Sequence, residues 1–320
     1  MTEGVSSLPL GYLHPLSLGV HKMDYLVFLT LILVPYLADS IYHKNVKDVS
    51  LKDAIIWTLI YVGSALLFFG YLFFWNQEKS ILFLTGFVLE KVLSVDNLIV
   101  IGSIFVYFGI PHNHQHKVLH YGILGAAAFR LLFIFCGITL FKTLGQVIEV
   151  FFGLLILWTA YKMLSGAGES EEIDHENRWY IKYTKKILPI SSFPSGNFLV
   201  KENGLKATPL LLCLIAVEFT DILFAFDSVP TIIAVSQDTL VVYSAIMFAI
   251  LGLRNLYFVL EALKKYLYYL QTAVSVVLFY IGFKLLSQGL LHYKIDPFIS
   301  LGVVMGILVL GVVASLLKKD

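Results

Sequence analysis

Carboxylates at repeated spacing inside apolar sequence are the residues here that could do chemistry. One block reads Leu89-Glu90-Lys91-Val92-Leu93-Ser94-Val95-Asp96-Asn97. The other reads Val217-Glu218-Phe219-Thr220-Asp221-Ile222-Leu223-Phe224-Ala225-Phe226-Asp227-Ser228. A carboxylate in hydrocarbon costs several kcal/mol, so acids in such runs line a pathway or face a partner. Five of them, Glu90, Asp96, Glu218, Asp221 and Asp227, imply a cation site within a membrane. Ser94, Asn97, Thr220 and Ser228 offer auxiliary oxygens beside them.

Helical geometry limits how these acids can meet. Glu218 and Asp221, three apart, share one face. Glu90 and Asp96 differ by about 240° with roughly 9 Å of rise, so one ion reaches both only if the helix unwinds or a partner helix closes around it. Pro230 lacks an N–H and displaces the carbonyl of Phe226, which predicts a free backbone oxygen near Asp227. Carboxylates and carbonyls are hard ligands that suit Mn²⁺, Ca²⁺ or Mg²⁺. Against the five acids stand three bases in apolar runs, Lys91, Arg130 and Arg254, a formal −2 that one divalent cation or two protons would neutralise. The arginines read equally well as helix-to-helix ion pairs.

Other residues point elsewhere or nowhere. His112, His114, His116 and His120 fall between the third and fourth apolar runs, and the sequence predicts a solvated turn after Pro111 without an accompanying carboxylate. Cys136 and Cys213, the two cysteines, each sit in an apolar run as small packing residues, with no thiolate cluster. No nucleophile elbow, phosphate-binding glycine loop or zincin pattern is present, so neither an enzyme nor a bound cofactor is expected. A net charge of +1 gives no sign of a nucleic-acid partner.

The elements that position the acids follow from composition. Of 320 residues 58% are hydrophobic and 14% charged, and mean hydropathy is +0.82. Residues 1–22 form a short tail without the basic start and apolar core of a cleavable signal peptide. Nine runs are long enough to cross about 30 Å of hydrocarbon: Met23–Tyr42, Lys52–Trp75, Ser80–Phe108, Val118–Phe141, Gln146–Leu164, Ala207–Val235, Leu240–Ala262, Gln271–Gln288 and Pro297–Leu317. The third and sixth carry the acidic blocks and are longer than needed, which suggests tilt or partial unwinding.

With the N-terminus outside, the inner loops hold fourteen Lys and Arg and the outer side five, namely Lys22, Lys79, Lys142, Lys284 and Lys294. That bias predicts N-out, C-in. The inner loop Ser165–Lys206 carries an acidic run and then 178–188, which suits either a short helix on the membrane surface or a solvated linker. An internal repeat organises the remaining chain. Each acidic block is followed by a span with an arginine, Arg130 or Arg254. The span after that ends in Tyr161-Lys162-Met163-Leu164 or Phe283-Lys284-Leu285-Leu286. Residues 80–164 and 207–288 therefore read as three-helix units of opposite orientation within one transmembrane domain, 23–320, with the site between them.

The two acidic blocks, the first extended back to Phe87 and the second on to Pro230, resemble the signature blocks of the TerC family, especially its Alx-like branch. Gly122-Ile123-Leu124-Gly125-Ala126 before Arg130, and Phe248-Ala249-Ile250-Leu251-Gly252-Leu253-Arg254, resemble further family elements. Lys117 stands where arginine is expected. The resemblance covers all nine runs and implies a member of the LysE-type transporter group that exports manganese across the bacterial inner membrane. It also implies that the five acids line the metal pathway. The alternative is a membrane-embedded scaffold or assembly factor for metal or tellurite stress. Lipid, a divalent ion and protons as counter-ion are the partners expected.

Overall fold

In hydrocarbon every backbone N–H and C=O must find its partner within the chain, so long apolar runs close into helices. The computed structural model describes residues 15–43, 49–165, 189–191, 196–201, 204–263, 268–293 and 295–318, except the side chains of 15–21, 96 and 227. Ten helices order the described residues: α1 Pro15–Tyr42, α2 Leu51–Trp75, α3 Gln77–Tyr107, α4 His112–Leu144, α5 Gln146–Leu164, α6 Pro209–Val235, α7 Thr239–Leu251, α8 Leu253–Leu263, α9 Leu270–Leu291 and α10 Pro297–Leu317. The chain is an all-α membrane protein. Seven helices are long and apolar enough to span: α1 (over Lys22–Tyr42), α2, α4, α5, α6, α9 and α10. α7 and α8, bent by 56°, make an eighth candidate if taken as one span. α3 has the length, 31 residues, but Glu90, Lys91 and Asp96 interrupt its apolar run.

Short polar caps separate the helices. Asn76 ends α2, and its side chain then accepts from Lys79 N at 2.9 Å to start α3. Gly109 (φ 60°) and Gly145 (φ 48°) supply the left-handed turns on either side of α4. Asp238 caps α7 by accepting from Val241 N, and Asp296 caps α10. Outward surfaces are apolar along every span: Leu26, Leu33, Phe74, Val106, Phe135, Trp158 and Leu310 are all exposed. A water-soluble fold would bury such residues; lipid makes their exposure cheap.

Of the alternatives read from sequence, unwinding is not found: α3 and α6 run unbroken through their acidic blocks, with Pro230 inside continuous α6. The interruption falls instead between α7 and α8 at Gly252, where Lys91 Nζ donates to Ala249 O at 3.0 Å and so caps one of the carbonyls orphaned by the bend. Within 165–206, residues 178–188 lie outside the described residues. Near its end a hairpin forms from β1 Leu199–Lys201 and β2 Leu205–Ala207, with Leu199 opposite Ala207. It docks on α4: Lys117 Nζ donates to Gly196 O at 2.8 Å and sits 5.0 Å above the Phe198 ring. In the packing, α3 lies on α7, α4 on α6, α3 on α6 and α5 on α9.

Candidate functional site

Arg130 is the centre of the first site. It projects from α4, is fully buried, and reaches both acidic helices. Nη1 forms an ion pair with Glu90 Oε1 on α3. Nη2 donates to Asp221 Oδ1 at 2.9 Å and Nε to Oδ2 at 3.3 Å, so the guanidinium grips the α6 carboxylate with two bonds. One acid from each block therefore meets a single arginine. A third helix closes around them, which removes the need for unwinding. Ser94 Oγ donates to Glu90 Oε1 at 3.3 Å.

Glu218 lies one turn before Asp221. Its carboxylate packs on Gly125 of α4, where a β-carbon would collide with both of its oxygens. Glu218 Oε2, Glu90 Oε2 and Ser228 Oγ are buried with no hydrogen-bond partner among the described residues. Thr220 Oγ1 is engaged with Ala216 O at 2.7 Å, and Asn97 is buried. The Asp96 and Asp227 side chains lie outside the described residues. Among the described residues, no three His, Cys, Asp or Glu side chains are close enough to hold a metal ion. What the site presents is two carboxylates bound to one guanidinium and a third acid, Glu218, with no basic partner among the described residues. These are hard oxygen donors, three carboxyl groups to one guanidinium.

Arg254 sits in different company, with residues from the first two helices and the fourth. Its Nη2 pairs with Asp39 Oδ1 on α1, and its Nη1 lies 3.3 Å from His120 Nδ1. Asp39 also accepts from His43 Nδ1 at 2.6 Å, Tyr61 OH at 2.9 Å and Asn255 Nδ2 at 3.0 Å. The formal charge count drawn from sequence therefore needs correcting. Arg254 is matched by Asp39, an acid left out of that count, as was Asp24, which accepts from Tyr71 OH at 2.8 Å. Both aspartates lie in the first apolar run, and the rule that singled out the five acids would have found them.

The histidines also need correcting, because they belong to the first turns of α4. His116 stands 5.4 Å from His43, ring to ring, and His120 stacks on Tyr36. His112 Nδ1 is 4.0 Å from Glu261. A carboxylate does accompany them, supplied by helices distant in sequence. Lys284, counted with the outer side, is buried within α9 and donates to Ser300 Oγ at 3.1 Å.

Multiple apolar spans around a buried acid and arginine centre define an integral membrane protein with a polar interior. Residues 75–320 match the integral membrane protein TerC family, and the chain belongs to it. It is 43% identical over 324 residues to the tellurium resistance protein TerC of Alcaligenes sp, covering 92% of this chain and 93% of that one. To the tellurium resistance protein TerC of Serratia marcescens it is 42% identical, with 94% and 95% covered. To the putative membrane-bound redox modulator Alx of Salmonella typhi it is 38% identical, with 85% and 86% covered. No solved structure matches the chain.

Proposed function

We propose that this protein exports divalent cations, Mn²⁺ first among them, across the bacterial inner membrane. One observation carries the reading: a buried carboxylate, Glu218, lies one turn from an Arg130 centre that already holds two acids, with bare oxygens on Glu218, Glu90 and Ser228. A fold has no need of surplus buried negative charge, whereas a passing cation would neutralise it. Oxygen-only donors favour Mn²⁺, Ca²⁺ or Mg²⁺ over thiophilic metals. Asp96 and Asp227 complete the set in this reading.

The same proposal takes α3 and the α7–α8 pair as spans, giving nine, with the N-terminus outside and the C-terminus inside. It also takes α3–α5 and α6–α9 as inverted units. The exchange of partners, α3 on α7 and α4 on α6, supports that symmetry. The competing reading is a scaffold in metal or tellurite stress, and it draws on the Arg130 ion pairs, which would serve a static bundle equally well. Metal flux into liposomes holding purified protein separates the two. The transport reading requires Mn²⁺ movement that Glu218→Gln and Asp96→Asn suppress at normal protein levels. Full flux in both variants, or none in the native chain, leaves the scaffold.

A further inference from the structure

We propose that His43 and His116, set against Asp39, form the site that holds the exchanged proton, separate from the carboxylates that hold the metal. The inference rests on the transport reading for its role but not for its existence. Asp39 accepts from His43 Nδ1, Tyr61 OH, Asn255 Nδ2 and Arg254 Nη2. A carboxylate surrounded by four donors is ionised. Its bond to Nδ1 fixes which ring nitrogen of His43 carries the hydrogen, leaving the lone pair on Nε2. That Nε2 is buried without a partner among the described residues, and so is His116 Nε2 on the facing ring. Bare buried polar atoms are rare in folded proteins and point to something that completes them. Two unpartnered ring nitrogens thus lie in one cluster with an ionised carboxylate.

The step is a plain transfer. His43 Nε2 takes a proton from water, giving an imidazolium that keeps Nδ1–H on Asp39 and carries its new hydrogen on Nε2, beside the His116 ring. Loss of the same proton to water restores the starting state. The titratable groups around the pair are Tyr36, Asp39 and Tyr42 of α1, Tyr61 of α2, His120 of α4 and Arg254 of α8. Asp39 and Arg254 cancel, so the proton brings a net positive charge to the cluster.

Lys91 connects this cluster to the metal site. A β-carbon at Gly252 would lie 3.0 Å from Lys91 Nζ and 3.1 Å from Tyr61 Cβ, so the two side chains meet over that glycine. Lys91 follows Glu90 directly, and Tyr61 donates to Asp39. Positive charge on His43 thus acts on the helix that carries Glu90. Proton and metal occupancy oppose one another, which is what an exchanger needs.

Two measurements on the full-length chain test this. Nitrogen-15 histidine spectra of the protein in detergent, with His43 assigned through His43→Gln, should show an Nδ1–H ring that gains its second proton at Nε2 as the pH is lowered. A His43 signal that does not change, or that gains its proton at Nδ1, overturns the proton site. In liposomes with an interior pH dye, an imposed Mn²⁺ gradient should move protons in the native chain. His43→Gln and His116→Gln should each lower the proton-to-Mn²⁺ ratio about ten-fold while downhill Mn²⁺ movement persists. An unchanged ratio in both variants overturns the coupling role. Absent Mn²⁺ movement in the native chain counts against the transport reading alone, and the histidine spectra then decide the proton site by themselves.

Discussion

Arg130 and Arg254 both follow an acidic block by one span, yet they do different work. Arg130 joins Glu90 and Asp221, one acid from each block, in a buried contact of two carboxyl groups to one guanidinium. Arg254 meets a single acid, Asp39, that three neutral donors also satisfy. A sequence repeat can therefore preserve residue types while tertiary packing assigns them separate partners. One arginine ties together the helices that carry the candidate metal pathway. The other anchors the α1 and α2 end to α4 and α8.

Removing each arginine tests that contrast most severely. Arg130→Gln strands two buried carboxylates and should cost about 3–5 kcal/mol, seen as lost membrane yield and a lower unfolding temperature in detergent. Arg254→Gln leaves Asp39 with His43, Tyr61 and Asn255 and should cost nearer 1–3 kcal/mol, the scale for one lost charged hydrogen bond. Equal losses would show that the two sites are energetically alike and the comparison misleading.

The acids sharpen it further. Sequence alone expects Asp96→Asn, Asp221→Asn and Asp227→Asn to fold normally. The structure revises this for Asp221, whose two bonds from Arg130 an amide can only partly keep, so this variant should melt below the native protein by about 1–3 kcal/mol. Glu218→Gln should melt like the native chain or slightly above it, yet bind Mn²⁺ at least about ten-fold more weakly in a thermal-shift titration. Loss of stability in Glu218→Gln would mean that Glu218 is structural.

Glycines give a smaller contrast. Gly125→Ala puts a methyl group where the Glu218 carboxylate lies, whereas Gly252→Ala meets Lys91 Nζ at 3.0 Å and Tyr61. Each should cost about 1–3 kcal/mol for overpacking, but only the first should weaken Mn²⁺ binding directly. The smallest effect belongs to Lys79 and Asp238, 2.7 Å apart and both partly exposed. Burial works against the Asp238 charge, but Lys79 and the Val241 N–H outweigh it and hold the group below its ordinary 3.8. Its stabilisation is therefore full at neutral pH and is lost as pH falls below that value. Lys79→Ala should cost at most about 1 kcal/mol, and the difference should vanish in acid.

Much of this was legible from sequence because the cost of an acid in lipid depends on little but its neighbours along the chain. Glu90, Asp221 and the helices around them follow from that rule. Long-range pairing was not legible. Nothing local says that Arg254 should choose Asp39, more than two hundred residues earlier, or that His116 should face His43. Sequence leaves unwinding and closure by a partner helix as equal routes for the acids to meet, and only packing selects the second, with Arg130 on a third helix. Asp24 and Asp39 are readable by the same rule, although, fifteen residues apart in the first run, they form no closely spaced block.

The α5–α9 contact carries a further consequence. A β-carbon at Gly153 would lie 3.3 Å from the carbonyl oxygen of Gly282, and one at Gly282 would lie 3.1 Å from that of Gly153. The two backbones approach closely there, with the side chains of Leu157 and Leu286 packed directly on the glycines, a close joint of the kind that small residues allow helices in lipid. Each contributes a helix from a different half of the sequence repeat, so this seam works like the spine of a book. In the transport reading, any opening at the Gly252 bend or around Arg130 would leave this seam closed.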